Sequence, residues 1–236
     1  MRSSLSWHND QWAAGPNRST AHLREFVARI LSEDEVPGTA LEAGCGAGVK
    51  MLHLADLFPS AHWTGVELSE DAVQAGRDRL DPERFTLRQG DLNRLVEMFG
   101  ERCFDITFSI MVLSWIEDYE AVVEQMLSVT KGRLFILNLF ADCDLDAFIR
   151  VRGRHQGSHE GLESFYNVYS LPRFLAYCRR LGASDIVAEP FEIDVDIPRP
   201  DHGGMGTWTE RTTDGRRLQI SGRLIMPWWF VAMRTS

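Results

Sequence analysis

The segment Glu42-Ala43-Gly44-Cys45-Gly46-Ala47-Gly48 carries glycines at alternate positions, an acid ahead of them and a helical pattern behind them. Such glycines let the backbone turn tightly and let a ligand lie against it with no Cβ in the way. Nineteen residues past Gly48, Glu67 closes a second β-rich run, where a carboxylate can accept hydrogen bonds from ribose hydroxyls. Gly90-Asp91-Leu92-Asn93 follows a third such run, and an Asp there can receive the amino group of an adenine. Three ligand-side features at three successive strand ends describe a site for a nucleoside.

The elements that must position these residues are legible as short apolar runs alternating with helix-period segments, the pattern of βαβ units in a mostly parallel sheet covered on both faces. Strands are expected at 39–43, 62–67, 85–88, 104–109 and 134–138, and helices near 19–31, 49–58, 70–80 and 119–128, with Ser19 or Thr20 as the first N-cap. Past Asn138 a long connection runs to Tyr169 and is expected to hold a helix near 144–151. A helix near 171–181, a strand at 185–189 and a last strand within 224–233 follow. Asp214-Gly215 joins two β-like runs and signals a hairpin turn. The chain reads as a single domain over 1–236, with an N-terminal helix and lid region (1–38), an acceptor-site insertion (139–170) and a β-hairpin insertion before the last strand (190–222).

On these residues the chain resembles the class I S-adenosylmethionine-dependent methyltransferases, whose pattern acidic-x-Gly-x-Gly-x-Gly matches Glu42 to Gly48. The spacing differs from the dinucleotide pattern G-x-G-x-x-G, in which a pyrophosphate is cradled. The resemblance covers 39–138 and implies a doubly wound, mostly parallel seven-stranded α/β sheet of the Rossmann-like methyltransferase type, with S-adenosyl-L-methionine as cofactor. It places Glu42, Gly44, Cys45, Gly46 and Gly48 at or beneath the cofactor, and Glu67 on the ribose hydroxyls. Leu68 falls against the adenine, Asp91 on its amino group with Leu92 beside it, and Ile110 and Met111 along the methionine moiety. The run from Ser109 to Asp118 is similar to the strand-to-loop segment of small-molecule methyltransferases. No Asn-Pro-Pro-Tyr or Asp-Pro-Pro-Tyr follows the fourth strand, which argues against a base or amide acceptor, and Lys131-Gly132-Arg133 has one glycine where the family commonly has two.

The implied activity is methyl transfer to oxygen or nitrogen of a small-molecule acceptor; a nicotinamide-dependent Rossmann oxidoreductase and a non-catalytic S-adenosylmethionine-binding protein are the alternatives. The long connection holds the catalytic candidates His155, His159 and Tyr166, because imidazoles titrate near neutral pH and could take a proton from a hydroxyl acceptor. Arg150, Arg152 and Arg154 could grip an anionic acceptor, whereas the acidic run Glu189, Glu192, Asp194, Asp196 and Asp201 would attract a cationic one. Trp7, His8 and Trp12 could form a lid. Asp142 and Asp144 do not build a magnesium site, so no metal is expected.

Composition bounds the rest. Of 236 residues, 44% are hydrophobic and 25% charged, which excludes disordered, collagenous and coiled-coil classes. A net charge of −9 disfavours bulk nucleic acid and anionic membrane surfaces as partners. Four scattered cysteines without a C-x-x-C pair, a polar N-terminus and no long apolar stretch lead to the expectation of a cytoplasmic protein with reduced thiols. A homodimer is left open.

Overall fold

In the computed structural model the described residues are 12, 18–31, 35–152, 163–192, 195–199, 207–221, 224–225 and 228–235. Helix α1 (Arg18–Ile30) leads into β1 (Thr39–Ala43), α2 (Val49–Ala55), β2 (His62–Glu67), α3 (Glu70–Arg77) and β3 (Phe85–Gln89). The chain continues through α4 (Leu95–Phe99), β4 (Phe104–Ile110), α5 (Tyr119–Val129) and β5 (Thr130–Ala141). Three short strands follow, β6 (Arg150–Arg152), β7 (Glu163–Phe165) and β8 (Tyr169–Ser170), then α6 (Leu171–Arg180) and β9 (Ser184–Pro190). The last strands are β10 (Thr207–Arg211), β11 (Arg217–Ser221), β12 (Leu224–Ile225) and β13 (Trp228–Arg234).

The main sheet runs β3-β2-β1-β4-β5-β13-β9, with β8 added to the end of β5. Strands β1 to β5 pair in parallel, and β13 runs antiparallel between β5 and β9. Because β1 has β2 on one side and β4 on the other, the strand order reverses there, and a crevice opens beyond the carboxyl ends of these strands. The expected doubly wound seven-stranded sheet is what forms.

Alternation along β5 divides the core between the two faces. Phe135, Leu137 and Leu139 pack with α1 and α2, whereas Leu134 and Ile136 pack with α5 and α6. On the first face Trp63, Phe108 and Phe135 stack across three strands at centroid distances of 5.5 and 5.4 Å, a layer that ties β2 to β5. Asp105 anchors β4 to the start of β1 by accepting from the N–H groups of Gly38 and Thr39 at 2.9 Å each. Gly132, near the start of β5, lets β4 approach closely, since a Cβ there would lie 2.6 Å from the Asp105 carbonyl oxygen.

Three expectations change. First, no helix forms at 144–151: Ala147 bridges Val168, and 150–152 is β6, paired antiparallel with β7. Ala147, Ile149 and Val151 pack on the core at a period of two, which a helix could not arrange, and Asp144 and Asp146 bind Arg173 on α6 instead of opening a helix. Second, the last strand is divided into β12, which belongs to the β10-β11-β12 sheet, and β13. Third, α1 already includes Arg18, so neither Ser19 nor Thr20 precedes it as a cap. The 212–217 hairpin forms as expected, with Gly215 at φ 83° donating its N–H to the Thr212 carbonyl at 2.9 Å.

Candidate active site

A cleft of about 710 Å³ lies at the carboxyl ends of β1 to β4. Ten of the sequence-derived binding residues border it: Glu42, Gly44, Cys45, Gly46, Glu67, Leu68, Asp91, Leu92, Ile110 and Met111. Glu67 is set in place by the loop it faces. Its Oε2 accepts the Gly46 N–H and its Oε1 the Ser69 N–H, each at 3.0 Å. Both oxygens are thereby oriented before any ligand arrives, and each keeps a lone pair for a hydroxyl.

Gly46 sits at φ 53°, a conformation open to glycine at little cost, so the turn that delivers this N–H depends on the missing side chain. Gly48 is not among the residues that border the cleft. At φ 79° it precedes α2, and a Cβ there would lie 2.7 Å from Leu80 Cδ1. Cys45 borders the cleft, but its thiol is buried toward Gly65, where a Cβ would come within 2.6 Å of Sγ. Burial pushes this thiol well above its ordinary range, and the Glu42 and Glu67 carboxylates reinforce the shift.

At the end of β3, Asp91 uses Oδ1 to hold the N–H and Nδ2 of Asn93, both at 2.9 Å, which caps the short turn 92–94. Leu68 is 71% exposed, an apolar side chain that borders the cleft. Met111, at the end of β4, adopts φ 62°, a left-handed backbone uncommon outside glycine; its N–H donates to the Leu137 carbonyl at 2.7 Å. Deeper in, Glu42 is buried, and desolvation raises its pKa to about 8 against the opposing pull of Lys50 and the Met51 N–H.

The far wall is made by the turn after β4, where Trp115 is 45% exposed and lines the cleft with Ile116. A buried polar network holds this turn. Ser114 N–H donates to Asn138 Oδ1 (3.1 Å), Asn167 N–H to the Ser114 carbonyl (2.7 Å), and Asn167 Nδ2 and the Tyr169 hydroxyl both donate to the Ile116 carbonyl (3.1 and 2.6 Å). Asn167 Oδ1 in turn accepts the Ile149 N–H at 3.0 Å, which joins the insertion to the wall. Sequence reasoning missed Lys50, Trp115, Asn138 and Asn167; the apolar run around Asn138 and Val168 was the available signal, because an amide inside such a run needs buried partners.

Of the catalytic candidates, Tyr166 alone falls among the described residues. His155 and His159, with Arg154, lie outside the described residues, as do Trp7, His8, Asp194 and Asp201. Tyr166 is buried, does not border the cleft, and packs edge-on beneath Trp115 at 5.0 Å. It supports the wall from behind. Trp12 packs near Arg79, whose guanidinium lies 6.0 Å from its ring, away from the cleft residues, so it is no lid there. Glu189 binds Arg29 through both oxygens and Asp196 binds Arg211 and Arg217, which commits these members of the acidic run to structure. Arg150 lies 3.9 Å from Glu117 and over the Phe165 ring.

Residues 40–133 match the family model described as a methyltransferase domain. The chain is 27% identical over 123 residues to a trans-aconitate 2-methyltransferase of Rhizobium meliloti, a match covering 52% of this chain and 45% of that protein. It is 24% identical over 216 residues to a malonyl-[acyl-carrier protein] O-methyltransferase of Geobacter sulfurreducens, covering 85% and 75%. The match spans less than two thirds of the Rhizobium meliloti relative and of several others, such as 58% of a Delftia acidovorans relative. Among solved structures, a Haloferax volcanii methyltransferase in complex with the Trm112 activator superposes with a TM-score of 0.63 at 16% identity over 98% of this chain and 95% of that one. A Burkholderia thailandensis N1-methyltransferase with bound S-adenosylhomocysteine gives 0.58 at 16% over 92% and 76%.

Proposed function

We propose that this chain, whose residues 40–133 match the methyltransferase-domain model, is a class I S-adenosylmethionine-dependent methyltransferase that transfers a methyl group to an oxygen or nitrogen of a small-molecule acceptor. The observation that carries the reading is the Glu67 carboxylate, pre-held by two backbone amides over a glycine turn in the one crevice where the strand order reverses. The residues fit the cofactor: Glu67 meets a diol, Asp91 an amino group, exposed Leu68 a flat heterocycle, and the strained Met111 backbone borders the thioether end.

When bound, S-adenosylmethionine supplies a methyl group already activated on a sulfonium with a neutral leaving group. The chain's own work is alignment and exclusion of water. The turn 113–116 is pinned by Asn138, Asn167 and Tyr169, so Trp115 and Ile116 form a fixed wall against which an acceptor can be oriented. Their apolar surface keeps water from the reacting atoms. The relatives named for trans-aconitate and a malonyl group suggest a carboxylate oxygen as acceptor, which is ionised at neutral pH and needs no base to remove a proton. For a hydroxyl acceptor, His155 or His159 would have to supply that base.

The test is calorimetry of S-adenosylhomocysteine and NAD(P) against the full chain, followed by a radiolabelled methyl-transfer screen of carboxylates, phenols and amines. Binding of S-adenosylhomocysteine with transfer to at least one acceptor is expected. Binding of NAD(P) alone would overturn the reading in favour of an oxidoreductase, and cofactor binding without turnover across the screen in favour of a non-catalytic protein.

A further inference from the structure

The charged side chains that border the cleft stand on one side of it. Glu42, Glu67 and Asp91 lie at or just past the ends of β1, β2 and β3, and Lys50 follows on α2. Past β4 the lining changes character, because Met111, Val112, Trp115 and Ile116 border the cleft with no charged side chain among them. A charged group pressed against such a wall would lose its water and gain no partner, so the wall selects an apolar body. Trp115 is its largest side chain, and it is 45% exposed although the turn that carries it is fixed. Its backbone N–H donates to the Val112 carbonyl at 2.9 Å, and its neighbours Ser114 and Ile116 are held by Asn138, Asn167 and Tyr169. Tyr166, itself buried, packs on the indole with the ring planes 65° apart. The indole is therefore a ring already set in place on the cleft side, with little freedom left to lose when a ligand meets it.

We infer that the acceptor carries an aryl group, a flat conjugated ring that stacks on Trp115 while its polar substituent points away from the wall. Two rings in offset contact gain from their quadrupoles beyond the apolar area they cover, which amounts to about 2- to 12-fold in affinity. A saturated ring of the same skeleton is puckered, touches the indole over less of its face and lacks that contribution. A small, highly charged acid finds no cation on this wall and would gain nothing from Trp115. The inference rests on the methyl-transfer reading above, and adds to it the chemical class of the acceptor and Trp115 as the residue that selects it.

Binding is measured by calorimetry and ligand-observed NMR on the full chain saturated with S-adenosylhomocysteine. The probes are 2-naphthoate and decahydro-2-naphthoate, which share a skeleton and a charge and differ in flatness. The flat probe is expected to bind about 3- to 10-fold more tightly. Trp115→Leu keeps an apolar side chain and is expected to abolish that preference while leaving S-adenosylhomocysteine within about twofold, which also reports a folded chain. Trp115→Phe keeps a ring and is expected to restore most of the preference. Equal affinities for the two probes in the wild-type chain would overturn the inference, as would a preference that survives Trp115→Leu or the failure of both probes to bind up to their solubility. Parallel loss of S-adenosylhomocysteine and 2-naphthoate in both variants would overturn it too, assigning Trp115 to the cofactor or to the fold. A wild-type chain that binds no S-adenosylhomocysteine would instead refute the cofactor reading, and the two probes titrated against the chain alone would still decide whether Trp115 selects an aryl group.

Discussion

Glu67→Ala removes the carboxylate on which the nucleoside side of the cleft is built, and its cost can be worked from the geometry. Each carboxylate oxygen already accepts one amide at 3.0 Å and has capacity for one ribose hydroxyl. A hydrogen bond to a charged group is worth about 1.5–3 kcal/mol, and two sharing one carboxylate are less than additive, so the ribose contribution is about 2–4 kcal/mol, or roughly 30- to 1000-fold in affinity. The same change strips the Gly46 and Ser69 amides of their acceptor. Glu67 is half-buried, so water replaces part of that, and the apo protein is expected to lose about 1–2 kcal/mol, a fall of roughly 2–8 °C in Tm. Calorimetry with S-adenosylhomocysteine, adenosine and adenine separates the two effects: the first two ligands should weaken in parallel, whereas adenine should not. Unchanged affinity for S-adenosylhomocysteine would refute the placement of the ribose on Glu67. An equal loss for adenine would show that the loop, and not the diol contact, had been lost.

Further outcomes are expected elsewhere. Gly46→Val should abolish S-adenosylhomocysteine binding, and because Gly46 lies at φ 53° it should also lower Tm by several degrees; normal binding in calorimetry would remove the turn from the cofactor site. Glu42, raised by burial to about 8, binds a proton in the folded state that the unfolded state releases near pH 4.5. The native chain therefore holds more protons between these values, and apo stability relative to Glu42→Gln should be greatest at or below about pH 4.5 and decline as pH rises to about 8. Paired melts across that range check the sign, and a relative stability that rises with pH would contradict it. Asn167→Ala strands buried donors and acceptors around Ser114, Ile116 and Ile149 and should cost about 2–4 kcal/mol in denaturant unfolding, while Trp115→Ala should raise acceptor KM with S-adenosylhomocysteine affinity held. An Asn167→Ala cost below 1 kcal/mol would mean that the network does not hold the wall.

The sequence by itself determined the parallel half of the sheet and the residues that border the cleft at the ends of β1 to β3. Both depend on local patterns: apolar runs of strand length, glycines at 44 and 46 where the backbone must turn, and acids at the two strand ends that follow. Such features act within a few residues of where they stand, so spacing alone locates them. The arrangement of the chain after β5 was decided by tertiary structure. Period-two burial of Ala147, Ile149 and Val151 appears only when the insertion lies on the core, and Tyr166 turns from a candidate base into a support for Trp115 because the chain buries it. Glu189 and Asp196 look like a free acidic run until α1 and the β10–β11 hairpin bring Arg29, Arg211 and Arg217 to them. Asn167 signalled only that an amide inside an apolar run needs buried partners, and Lys50 after the glycine turn signalled nothing. Which partners they meet is set by groups that are distant along the chain and close only once the sheet has formed.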